Sequence, residues 1–205
     1  MRIAIVGCGH GALNKIYQAV SPSTELLITC GDFQALRNSD DLDTIAVPMK
    51  YRALGDFYQY YNGQKKAAVA TLFIGGNHEC SSYLQEWRFG GYVAPNIYYM
   101  GEAGCVWCGG LRIGGIAGIW NPRLFETSIV RAEEKIPYND SSLRTVYHIK
   151  AQAYLKAWLA TTSAQEPPLD VYLSHDWPQN IAHYGNLRQL LQRKPFFRDD
   201  ISSGK

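Results

Sequence analysis

Six residues of this chain are of the kinds that hold metal ions or move protons, and each stands just past an apolar run. Cys8 and His10 follow Ile3-Ala4-Ile5-Val6, two apart on one face of an extended segment. Asp32 follows Leu26-Leu27-Ile28-Thr29-Cys30 and one glycine. Asn77 and His78 come after Val69 to Ile74 and the pair Gly75-Gly76, with Glu79 next. His175 closes Leu169 to Ser174. Ring nitrogens, an amide oxygen, a carboxylate and a thiol together suit a hard or borderline divalent metal. A carboxylate at the end of a core strand needs a partner or a cation. The set exceeds what one ion requires and suits two ions about 3.5–4 Å apart, with Asp32 as the bridging group. Such a pair generates hydroxide at neutral pH and clamps the attacking and leaving oxygens of a phosphoryl centre.

Strands must position these groups, because open α/β sheets gather ligands at the carboxyl ends of their strands. If the four runs share one sheet, the donors converge at one edge. Val69 to Ile74 reads as a strand buried on both faces. Gly75 and Gly76 lack Cβ and allow a sharp turn and close backbone approach. The segment Gly7-Cys8-Gly9-His10-Gly11 is not a dinucleotide fingerprint, since no third glycine falls at the required spacing. Leu13, Ile16, Tyr17 and Val20 recur at helical spacing, and the N-terminus of that helix would favour an anion.

The remaining segments read more blandly. Asn38 to Asp43 is expected to be a solvated loop. Leu54, Phe57, Tyr58 and Tyr61 form a helix face stopped by Asn62-Gly63, and these tyrosines read as core before they read as base-stacking groups. Trp87 to Pro95 is loop-rich. Cys105 and Cys108 make a C-x-x-C, but Gly109-Gly110 and Leu111-Arg112-Ile113 place it on a hairpin, without a second pair to complete a zinc site. Trp120 to Tyr138 shows no clear periodicity and carries Arg123, Arg131 and Lys135 among aromatics. Ile149 to Leu159 is helical, and Arg188, Arg193, Lys194 and Arg198 make the last stretch basic. His148 and His183 read as satisfied core histidines.

At 205 residues the length fits one domain, and 46% hydrophobic with 19% charged residues describes an ordinary globular chain. A formal charge of +2 does not by itself indicate nucleic acid. Five cysteines without a signal peptide point to a reduced, intracellular protein, and no segment reaches the length of a membrane span.

Gly31-Asp32, Gly76-Asn77-His78-Glu79 and a strand ending in His175 resemble the signature blocks of the calcineurin-like metallophosphoesterases. That superfamily usually opens with D-x-H, and Cys8-Gly9-His10 resembles instead its RNA lariat debranching branch. Val47-Pro48-Met49-Lys50-Tyr51-Arg52, Val93 to Tyr99, Arg112 to Ile116, Ser174 to Pro178 and His183-Tyr184-Gly185-Asn186 are similar to that branch as well, so the resemblance spans nearly the whole chain. It implies an α/β fold of the metallophosphoesterase type, a β-sandwich flanked by helices, over residues 1–205. It also implies a nuclear phosphodiesterase acting on the 2′–5′ branch of intron lariat RNA, with spliceosomal proteins as further partners and no membrane.

By the same resemblance His10 and Asp32 hold one metal, with Cys8 beside it. Asp32, Asn77 and His175 hold the second. His78 contacts the scissile phosphate and protonates the leaving 2′ oxygen. Manganese, iron and zinc all suit such ligands. Residues 119–147 correspond to a lariat-recognition loop, in which Trp120 and Tyr138 are candidates to stack on RNA bases.

Two departures stand out. No G-H-x-H block follows His175, so each metal lacks one histidine, and the expectation is a sandwich that stops before its last strands. Asn121 to Lys135 also lacks the family's aspartate, glycine and histidine pattern. A portion of a longer hydrolase and a catalytically silent RNA-binding homologue are the two readings these departures leave open.

Overall fold

The computed structural model describes residues 1–128, 134–162 and 166–203. They form two compact units, Met1–His175 and a smaller one from Asp176 onward. The first contains β1 (Ile3–Val6), α1 (Leu13–Ala19), β2 (Leu26–Cys30), α2 (Phe57–Tyr61), β3 (Ala70–Ile74), α3 (Ser81–Glu86), β4 (Gly91–Ala94) and β5 (Ile97–Tyr99). It continues with β6 (Ala103–Cys108), β7 (Leu111–Ile116), α4 (Pro122–Ser128), α5 (Asp140–Leu143), α6 (Ala151–Thr162) and β8 (Val171–Ser174). The second unit holds α7 (Leu187–Arg193) and α8 (Phe197–Ser203). No described helix is long and apolar enough to cross a membrane.

The α/β expectation holds, but the four site-bearing strands do not share one sheet. β1, β2 and β3 lie side by side and parallel in a five-stranded sheet of order β1-β2-β3-β5-β4. β8, which delivers His175, belongs to a second, three-stranded sheet of order β6-β7-β8. Leu26, Ile28, Leu72 and Ile74 of the first sheet share a core with Ile113 and Leu173 of the second. The opposite face carries Phe73 and Tyr99 into a cluster with Leu13, Phe33, Phe57 and Tyr83 from the helical side. Alternate residues of β3 therefore enter two different cores, which is why its sequence is apolar without a break. Phe33 stacks on Phe73 at 4.0 Å between ring centroids and fastens the loop after β2 to the core.

Several segments depart from their sequence readings. Asp41, within the supposed solvated loop, is only 4% exposed. Arg37 explains it: its backbone N–H and its Nε donate to Asp41 Oδ2 at 2.8 and 2.9 Å, and its Nη2 reaches Oδ1 at 2.9 Å. The N-terminus of α1 is not open to an outside anion, because the Asp56 carboxylate accepts the Asn14 amide at 2.9 Å. In α2 the deeply buried tyrosine is Tyr60, whose hydroxyl donates to Asn14, while Tyr61 is exposed. Strand β4 occupies part of the stretch read as loop. Helix α4 occupies part of the stretch read as irregular, while Arg131 lies outside the described residues. His183 is exposed within the second unit rather than part of a core.

The Arg37–Asp41 pair carries a stability prediction. Burial alone would raise the Asp41 carboxyl, yet the Arg37 hydrogen bonds and charge hold it below its ordinary 3.8. A carboxylate depressed by folding contributes stability above its unfolded pKa, and that contribution disappears as pH falls through the folded value. Asp41→Asn is expected to lose about 2 kcal/mol at pH 7. The loss shrinks toward zero in the same denaturant titration below the depressed pKa.

Candidate metal centre

The loops after β1, β2 and β3 are bonded to one another around Asp32. His10 N–H donates to the Asp32 carbonyl at 2.6 Å, tying the first loop to the second. The second and third are joined through the Asp32 carboxylate: Oδ1 accepts the His78 backbone N–H at 2.8 Å, and Oδ2 accepts His78 Nδ1–H at 3.0 Å. His175 reaches the same place from the other sheet, its Nδ1 donating to the Cys30 carbonyl at 2.8 Å. His10, Asp32 and Gln34 all have left-handed φ, at 44°, 49° and 59°. Each such residue costs of order 1 kcal/mol and persists only where its surroundings over-determine it.

Because the Cys30 carbonyl can only accept, His175 carries its proton on Nδ1 and turns the Nε2 lone pair inward. That nitrogen lies 3.2 Å from Asn77 Oδ1 and 3.6 Å from Asp32 Oδ1. Three electron-pair donors thus face one another, an arrangement unfavourable by itself and suited to a cation between them. On the other flank His10 Nε2 lies 3.7 Å from Asp32 Oδ2. Two donor groups result, Cys8 with Asp32 and His175, and His10 with Asp32 and His78, the ligand atoms in each lying within 4.8 Å of one another. Asp32 is common to both, and Cys8 falls with His175 rather than with His10. These residue types fit two divalent ions that share one carboxylate.

The electrostatics agree with that placement. Burial would raise the Asp32 carboxyl, but the side-chain and backbone hydrogen bonds from His78 hold it below its ordinary value. The hydrogen bond to Asp32 raises the imidazole of His78 in turn. With Nδ1 held by Asp32, Nε2 of His78 faces outward from a ring about one-third exposed, 35%.

Two glycines make the crowding possible. A Cβ on Gly76 would run into the Asp32 carboxylate and backbone and come within 2.8 Å of His175 Cε1. On Gly31, whose φ is +101°, it would strike the His175 ring at Nδ1. Gly76→Ala is expected to displace Asp32 from His175 and abolish Mn2+-dependent thermal stabilisation, while circular dichroism stays near wild type.

The two aromatic candidates for RNA contact lie further along the chain. Trp120 is 44% exposed and packs on Phe125 at 4.6 Å between centroids. Gly118 N–H donates to the Gly75 carbonyl at 2.9 Å, so Trp120 stands two residues from the β3 loop. Tyr138 is half-buried, and its hydroxyl is enclosed without a hydrogen-bond partner among the described residues. His148, read as a satisfied core histidine, is half-buried, and its Nδ1 donates to the Ile119 carbonyl at 3.2 Å beside the same loop.

Glu79 had no assigned role in the sequence, yet it is 3% exposed and bonded to three backbone amides. Burial and the nearby Asp32 charge push its carboxyl up to about 7, against the Gly76, Phe33 and Gln34 amides that favour the carboxylate. The signal available in the sequence was its position three residues after Gly76, within reach of that residue's own N–H.

An α/β scaffold presenting metal-suited donors around one shared carboxylate is the class that fold and site define. No family model matches the chain. Curated proteins do. Over nearly its whole length the chain is homologous to proteins named lariat debranching enzyme. It is 48% identical over 208 residues to lariat debranching enzyme A of Xenopus laevis, covering 98% of this chain and 38% of that protein. It is 48% identical over 210 residues to the lariat debranching enzyme of Homo sapiens, covering 99% and 37%. With the enzyme of Arabidopsis thaliana the identity is 45% over 208 residues, covering 98% and 48%. The chain therefore spans less than half the length of these curated relatives.

Proposed function

We propose that this chain is the site-bearing portion of a metal-dependent phosphodiesterase that hydrolyses the 2′–5′ branch linkage of intron lariat RNA. The observation that carries the reading is the sharing of Asp32 between His10 on one side and Asn77 with His175 on the other. The names of its relatives supply the substrate class. The fold is read as a metallophosphoesterase-type sandwich, and the working compartment as the nucleus, where intron lariats and spliceosomal partners occur together.

His10 and Asp32 would hold one divalent ion, and Asp32, Asn77 and His175 the other, with the Cys8 thiol beside the second group. Manganese, iron or zinc suits these donors. Bound ions would supply a hydroxide nucleophile and neutralise the phosphate oxygens. His78 Nε2 would donate a hydrogen bond to the scissile phosphate and deliver a proton to the departing 2′ oxygen. Asp32 keeps the His78 proton on Nδ1 and fixes the ring plane while that happens. Trp120, exposed near the β3 loop, would stack on a splayed base.

The test is cleavage of a synthetic branched RNA by the full-length protein with Mn2+, Fe2+ or Zn2+, against a linear 3′–5′ control. Cleavage confined to the 2′–5′ bond supports the reading. Failure with every metal, alongside retained binding of the branched RNA, favours the silent RNA-binding homologue.

A further inference from the structure

The buried carboxylate of Glu79 belongs to neither donor group. Its Oε1 accepts the Phe33 N–H at 2.7 Å and the Gly76 N–H at 3.0 Å. Its Oε2 accepts the Gln34 N–H at 2.8 Å. One oxygen atom therefore bridges the peptide that follows Asp32 and the peptide that precedes Asn77 by one residue. The return connection runs from the other carboxylate, since Asp32 accepts the His78 N–H. The two loops after β2 and β3 are clasped reciprocally, each supplying a carboxylate that binds the other's amides.

We propose that Glu79 is a positioning residue that sets the separation of Asp32 from Asn77 before any cation arrives. The need for it is visible in the backbone. Asp32 and Gln34 both have left-handed φ, at 49° and 59°, and neither is glycine. Without an acceptor, the amides of Phe33 and Gln34 would be left among buried residues, and the loop would relax to a cheaper conformation. Asp32 would move with it. Among the described residues no backbone carbonyl accepts from the Phe33 or Gln34 N–H.

The inference rests on the two-cation reading and makes a separate claim. A glutamine cannot do the same work. If its single oxygen accepts from Phe33 and Gly76, its NH2 faces the Gln34 N–H, donor against donor. Supporting residues of this kind typically change metal affinity by roughly 10- to 100-fold.

The experiment follows Mn2+ uptake by the whole chain with electron paramagnetic resonance, in wild type, Glu79→Gln and Glu79→Asp. Both variants are expected to bind roughly 10- to 100-fold more weakly, with wild-type circular dichroism in EDTA. A folded Glu79→Gln that takes up Mn2+ as tightly as wild type overturns the proposal. Should the variants not fold, amide hydrogen exchange in wild type decides. In EDTA the Phe33, Gln34 and Gly76 amides are expected to exchange together and about as slowly as those of β3. Exchange at exposed-loop rates until Mn2+ is added would mean that the cation, not Glu79, orders the loops, and the proposal fails. Wild type that binds no Mn2+ overturns the two-cation reading itself, which is distinguishable because the defect precedes any substitution.

Discussion

Asp32→Asn is expected to abolish divalent cation uptake and branched-RNA cleavage while leaving the fold in place. Asparagine keeps the size of the side chain, tolerates the left-handed φ of 49°, and can still accept the His78 N–H. What it lacks is the charge that both flanks share and the second acceptor oxygen, Oδ2, that faces His10. Metal ions at a phosphoryl centre supply several kcal/mol of transition-state stabilisation. At about 1.4 kcal/mol per tenfold, cleavage should fall by about 10^3-fold or more. Calorimetric titration with Mn2+ checks the first half of the prediction and gel-based cleavage the second. Wild-type uptake by folded Asp32→Asn would remove Asp32 from the centre.

His78→Ala should separate binding from chemistry. The ring is held by Asp32 through Nδ1 and sits at the exposed side of the cluster, so its loss leaves Asn77, His175 and His10 where they are. Cation uptake is expected to stay within a few-fold of wild type. Cleavage should drop about 10^2- to 10^4-fold, the range for removing a positioned proton donor. The readout is single-turnover cleavage at saturating Mn2+ alongside the Mn2+ titration. If uptake collapses with cleavage, His78 serves as a ligand rather than as a proton donor.

These two outcomes depend on features that differ in how far the sequence revealed them. β2 was legible to the residue, because Leu26 to Cys30 is an unbroken apolar run that ends at a glycine. The strand-end positions of Cys8, His10, Asp32, Asn77, His78 and His175 were legible for the same reason. The sheet membership of β8 was not. An apolar run states that a strand is buried but not against which neighbour, and His175 reaches Cys30 from the second sheet across a shared core. Asp41 was misread because three acidic residues in five look solvated, while the pairing with Arg37 depends on the turn between them. Glu79 was hidden by its adjacency to stronger candidates. A carboxylate that binds only backbone amides leaves no partner type in the sequence to betray it.

The central claim is that Asp32 is shared by two cations. The direct measurement is anomalous diffraction from crystals of the full-length protein grown with Mn2+. The account predicts one peak beside His10 and Asp32 and a second between Asp32, Asn77 and His175. Manganese bound elsewhere, or a single ion that leaves Asp32 outside its coordination shell, would contradict it.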